Sequence, residues 1–189
     1  MKSNMSQFTR SLKRLLAPLK KQEERRSVQF VLSHLRADLE SAAKPRFRVL
    51  GVEVRIEKPQ TPKAAPRRLI RVLVADYGNK RHLDVLVDHA GNIVQAENYR
   101  GFQPAFHNDE IRDASEIALS DSRLASLRKR RDYFVTTFVP EKIRPGGSRK
   151  IGLRFILARK RQGVGVLAEV TVDLCKQKII GFDTANAAS

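Results

Sequence analysis

Cations are the residues through which this sequence is best equipped to act, and they come in runs. Arg128, Lys129, Arg130 and Arg131 are consecutive, Arg149 adjoins Lys150, and Arg159, Lys160 and Arg161 precede Gly163 at a predicted hairpin tip. Clustered positive charges attract polyanions over long range, an effect that salt screens. Two macromolecular partners suit them. An acidic protein surface would be steered by charge complementarity, and nucleic acid would be held by phosphate contacts with little base specificity. Across the chain 37 Lys and Arg oppose 20 Asp and Glu, a net of +17 on 189 residues. Nets of about 2–8 already keep a small domain soluble, so solubility does not require this excess. It is uneven: +8 in residues 1–49, +3 in 50–105 and +6 in 106–189.

Other groups invite catalytic readings that their spacing does not sustain. His82, Asp84 and Asp88 share one face of a predicted strand, and a carboxylate–imidazole set can move protons. A solvated strand face has the same composition. His82 and His89 fall on opposite faces of a regular strand, which does not suit a shared metal. Gly163 and Gly165 lead into a strand, so they are not a dinucleotide loop. Cys175 lies beside Lys176 and Lys178, whose charges would ease its ionisation, but no His or Asn is placed to assist it. A single cysteine also excludes an internal disulfide and a cysteine-based zinc site. Tyr99 and Phe102 flank Arg100 in a linker, yet 6% aromatics and no Trp poorly supply a stacking platform for single strands.

The elements that position these groups follow from hydrophobic period. Residues 1–25 form a basic arm in which Phe8, Leu12, Leu15, Leu16 and Leu19 recur at helical spacing between Lys13, Arg14, Lys20 and Lys21. Such a helix suits an anionic membrane surface or a docking partner, and equally suits its own domain. Pro18 bends or ends it. Deleting the arm is expected to leave the core folded. A second helix is predicted over 26–43, with Val28, Leu32, Leu35, Leu39 and Ala42 on one stripe, ended by Lys44-Pro45. Strands follow at 47–56, with Leu50, Val52, Val54 and Ile56 on one face, and then at 69–75, 83–87 and 93–97.

Residues 107–183 repeat that order. Asn108 or Asp109 caps a helix carrying Ile111, Ala114, Ile117 and Ala118, which breaks at Ser120-Asp121-Ser122. Strands are predicted at 132–139, 150–158, 164–173 and 179–183. At an offset of 85, Val85, Val87, Asp88 and Val94 meet Val170, Val172, Asp173 and Ile179. One helix-plus-four-strand unit made twice, over 26–100 and 107–183, is the economical account. The fold class is α+β, each helix covering one face of an antiparallel sheet.

These segments resemble the small N-terminal domains of copper amine oxidases. The likeness rests on residues 67–74, 83–87, Ile93-Val94, Gln103-Pro104, Asp109-Glu110, 117–127, Leu153-Arg154-Phe155, 168–173 and Ile179-Ile180. It spans about residues 27–183 and is made of strand patterning and order. It implies two tandem cystatin-like units, and expects the copper, quinone and catalytic base of that family to belong to a large domain absent here. Asn98-Tyr99 lacks the flanking residues of the quinone motif, with Gln95 before and Arg100 after. His34, His82, His89 and His107 contain no His-x-His pair. The expectation is a non-enzymatic, cytoplasmic binding or assembly module without cofactors. Its partner would be an acidic protein or a second copy of the chain, with nucleic acid as the alternative.

Overall fold

The computed structural model describes residues 13–37, 46–59, 65–99, 101, 103–140, 147–159 and 163–184. They form two compact units, Met1–Asp76 with His82–Tyr99, and Tyr77–Arg81 with Arg100–Ser189. Both are α+β.

In the first unit, helix α1 (Lys21–Ala37) precedes β1 (Phe47–Glu57), β2 (Arg67–Asp76), β3 (Arg81–Val87) and β4 (Ile93–Asn98). The strands form an antiparallel sheet in chain order. Helix α1 starts five residues before the predicted position, because Glu23 closes its first turn by accepting from the Lys20 N–H at 3.0 Å. Its buried stripe is Ser27, Val31 and Leu35, at steps of four, with Val28 partly buried; Leu32 is only half-buried. Leu39 and Ala42 lie outside the described residues. Val31 and Leu35 pack on Ile70, Val72, Val74, Leu83, Val85 and Val87.

Two strands depart from simple alternation. Leu50 has no partner in the β1–β2 ladder, where Val49 faces Val74 and Gly51 faces Leu73. That bulge reverses the facing before it, so Phe47, Val49 and Val52 pack on the core and Leu50 does not; Ile56, near the far end of the strand, is exposed. Strand β3 is buried from His82 to Val87, so His82 and Asp84 do not stand on a solvated face as predicted. Asp84 tolerates burial because Arg71 donates to both its oxygens, at 2.8 and 2.6 Å.

The second unit has α2 (Asn108–Ser120), a 3-10 turn (Ser122–Leu124), α3 (Ala125–Arg128), β5 (Tyr133–Phe138), β6 (Lys150–Arg159), β7 (Gly163–Asp173) and β8 (Lys178–Asp183). Its sheet is again antiparallel and in chain order. The N-cap of α2 is His107, not Asn108 or Asp109: its Nδ1 accepts from the Asp109 N–H at 3.3 Å, while the Glu110 carboxylate accepts from the His107 N–H at 2.9 Å. As predicted, α2 ends at Ser120, and Asp121 caps the following turn. Ala114 and Ala118 are fully buried, as are Ile151, Leu153 and Phe155 on β6 and Val170 and Val172 on β7. A second bulge, between Phe155 and Ile156, sets Val166 opposite Ile156, so Val166 does not share the buried face of Ala168, Val170 and Val172.

The repeat extends to its irregularities. Ladder β3–β4 shifts between Leu86 and Val87, and ladder β7–β8 between Thr171 and Val172, which leaves Val94 and Ile180 as the unpaired, exposed extra residues. Asp88 accepts from the N–H groups of Ala90 and Asn92, and Asp173 from those of Cys175 and Lys176. Ile93 pairs with Val87 as Ile179 pairs with Val172, so Ile179 corresponds to Ile93 and not to Val94. The second turn is one residue longer. Gly91 has φ 96° and Gln177 φ 51°, each in the left-handed region.

Two outcomes follow. Gln177→Gly relieves a side chain held in that region and is expected to stabilise the fold by about 1 kcal/mol in denaturant titration. Leu19 packs on the first core, Arg68 donates to the Ala17 carbonyl at 3.2 Å, and Arg68 pairs with Glu23 at 3.0 Å. Contrary to the expectation from the sequence, deleting residues 1–25 should therefore destabilise the fold. Leu19→Ala alone should cost about 1–2 kcal/mol by thermal melting.

Candidate binding surface

The cation runs singled out in the sequence fare differently in the structure. Arg149 is 1% exposed and is not a surface charge. Its Nε and Nη2 donate to Glu110 Oε1 and Oε2 at 2.8 and 2.7 Å, and its Nη1 and Nη2 to the carbonyls of Pro104 and Ala105 at 2.7 and 3.0 Å. The Phe106 ring lies 4.9 Å from the guanidinium carbon. Glu110, also fully buried, takes the Tyr77 hydroxyl at 2.7 Å as well. A guanidinium this deep requires a bidentate carboxylate, and the capping carboxylate of α2 supplies it. The sequence hides the pair because its members stand 39 residues apart.

Arg128 donates to the Leu119 and Asp121 carbonyls, occupying acceptors left open at the end of α2. Arg130 is held by Asp132 through two bonds of 2.9 and 2.8 Å. Lys129 and Arg131 are exposed with no ion pair among the described residues, and Lys150 is half-buried at the start of β6. The Arg159 side chain, Lys160 and Arg161 lie outside the described residues. The predicted stripe across this unit therefore loses Arg149 altogether, and Arg128 and Arg130 are already engaged.

A denser surplus lies in the first unit. Residues 13–36 hold seven Lys and Arg against two Glu. All seven (Lys13, Arg14, Lys20, Lys21, Arg25, Arg26 and Arg36) are exposed, and none forms an ion pair among the described residues. Glu23 is already committed to Arg68. Of the predicted arm residues, Leu15 and Leu19 are half-buried and Leu16 is 65% exposed, while Phe8 and Leu12 lie outside the described residues. Arg25, Arg26 and Arg36 were not among the candidate residues of the sequence, because a helix placed at 26–43 makes them the flank of a core helix. No local signal marks them, since Glu23 and Glu24 precede Arg25 and Asp38 follows Arg36.

Beside this surface, Glu23, Arg26, Ser27 and Phe30 of α1 face Ile70 and the turn from Asp88 to Gly91 across a cavity of about 270 Å³. That is below the ~300–1,000 Å³ of ligand pockets and suits a side chain better than a cofactor. Its carboxylates are not poised for proton transfer. Glu23 is held below its ordinary value by the Lys20 N–H and by Arg68, and Asp88 by the Asn92 side chain and backbone. Among the described residues no group of three His, Cys, Asp or Glu could hold a metal ion, and no helix is long and apolar enough to cross a membrane. The Tyr99 ring lies under Arg71, 5.5 Å from the guanidinium carbon. Arg100 and Phe102 lie outside the described residues.

No protein-family model matches the chain, and no curated protein matches it.

Truncating Arg149 to Ala strands a buried carboxylate and should cost about 3–5 kcal/mol, whereas Arg149→Met with Glu110→Leu should recover only part of that loss, because the Tyr77 hydroxyl, the His107 N–H and the Pro104 and Ala105 carbonyls then lose their partners. Burial pushes Glu110 up, but Arg149's hydrogen bonds and charge, with the His107 N–H and the Tyr77 hydroxyl, outweigh it and hold the group below its ordinary 4.5. A lowered folded value stabilises the fold above the unfolded value. The contribution disappears as pH falls from about 4.5 through the folded value. The double variant should lack this part of the acid dependence in urea titrations at stepped pH.

Proposed function

We propose that this chain is a non-catalytic binding module that docks an acidic partner protein on α1 and the segment before it. The carrying observation is the set of seven exposed cations over residues 13–36, none of which forms an ion pair among the described residues. Exposed charges of one sign on a helix repel one another, and an acidic surface relieves that repulsion while raising the rate of encounter. Phe30, 39% exposed, and the cavity beside it offer an apolar anchor point within the charged field. The helix followed by a four-stranded antiparallel meander, made twice, supports reading both units as cystatin-like. In that reading they resemble the small N-terminal domains of copper amine oxidases, and they bind and assemble in a cytoplasmic setting without copper or quinone.

The test is a titration with an acidic polypeptide such as polyglutamate, followed by calorimetry at two salt concentrations. Replacing Lys21, Arg25 and Arg36 together by Glu should weaken binding about tenfold or more, and moderate salt should shrink the difference. Replacing Lys129 and Arg131 by Glu should change little. Undiminished binding by the first variant would overturn the proposal. Tighter, steeply salt-dependent binding of generic duplex DNA would replace the protein partner with nucleic acid.

A further inference from the structure

Strands β1, β4, β5 and β8 stand at the edges of the two sheets. An edge strand presents a row of unpaired N–H and C=O groups, and proteins blunt such edges with charges, bulges or prolines. Strand β1 carries Arg48, Glu53, Arg55 and Glu57 and a bulge at Leu50. Strand β4 has Glu97 and the bulge at Val94, and β8 has Lys178, Asp183 and the bulge at Ile180. Strand β5 has none of these. Its sequence, Tyr-Phe-Val-Thr-Thr-Phe, is uncharged and free of Gly and Pro, and its six residues pair with β6 without a shift. Among the described residues no turn or loop backbone group bonds to it. Phe134 is 44% exposed, and Val139, just past its end, is 64% exposed.

We propose that β5 joins two copies of this chain, pairing antiparallel with β5 of a second copy about a two-fold axis through Thr136. The two four-stranded sheets then continue as one of eight strands. A second copy is favoured over an unrelated strand because β5 is complementary to itself. Phe134 and Phe138 flank Thr136 symmetrically on one face, so placing Thr136 opposite its counterpart sets each Phe134 opposite the second copy's Phe138. Aromatic pairs and Thr–Thr pairs are favourable cross-strand neighbours, and an uncharged strand brings no like charges together. Phe138 is already laid flat on the sheet: a Cβ at Gly152 would lie 2.5 Å from its ring, and the Arg154 guanidinium carbon sits 5.5 Å from its centroid. A two-fold, isologous contact is the commonest closed assembly. The inference does not rest on the acidic partner, since β5 belongs to the second unit and α1 to the first.

Sedimentation equilibrium of the full chain at high micromolar concentration should give twice the chain mass of 21.4 kDa. Thr136→Lys should halve it with an unchanged circular dichroism spectrum. In a Cys175→Ser background, Thr136→Cys should cross-link under mild oxidation and Thr137→Cys should not, which decides the matter should the lysine variant fail to fold. A wild-type mass of one chain, a dimer that survives Thr136→Lys, or equal cross-linking at both positions would overturn the proposal.

Discussion

Carboxylates are the scarce resource in this chain, and where the fold places them determines what its surface can do. Glu110 is buried against Arg149, Asp84 and Glu53 hold Arg71, and Glu23 holds Arg68. Asp121, Asp132 and Glu169 each hold an Arg, while Asp88 and Asp173 close turns. With 20 carboxylates against 37 cations, this internal use leaves Lys13, Arg14, Lys20, Lys21, Arg25, Arg26 and Arg36 exposed without an ion pair among the described residues. The distribution is structural in origin. Pairs form where strands, a helix cap or a tight turn bring opposite charges within reach.

Arg149 and Arg25 show why local charge is a poor guide to binding. The first sits in a run of cations and is buried, held by a carboxylate that also caps α2, with Tyr77 and Phe106 around it. The second sits beside two glutamates in sequence and is exposed without a partner among the described residues. Pairing is decided by tertiary proximity, so an arginine's availability follows from the fold.

Strand positions were legible to within a residue or two at each end, because stretches of period-two alternation survive on either side of the register shifts. Bulges were not, because one inserted residue leaves the local pattern intact and changes only its phase: Leu50 in β1 and Ile180 in β8 both sit in unbroken apolar text. The start of α1 was misplaced for a related reason. Glu23 and Glu24 look polar and loop-like, yet Glu23 closes the first turn on the Lys20 N–H and anchors Arg68. The duplication was visible at an offset of 85, and the one-residue difference in turn length became visible only through the pairing of Ile93 and Ile179. The basic charge was legible in both the arm and the clusters of the second unit, but its engagement was not: Arg128, Arg130 and Arg149 are already held by their own chain.

Backbone hydrogen-exchange footprinting with and without an acidic polypeptide tests the central claim most directly, because it locates contact without altering a residue. The account predicts new protection concentrated over residues 13–36. Protection confined to residues 128–150, with the first helix unchanged, would contradict it.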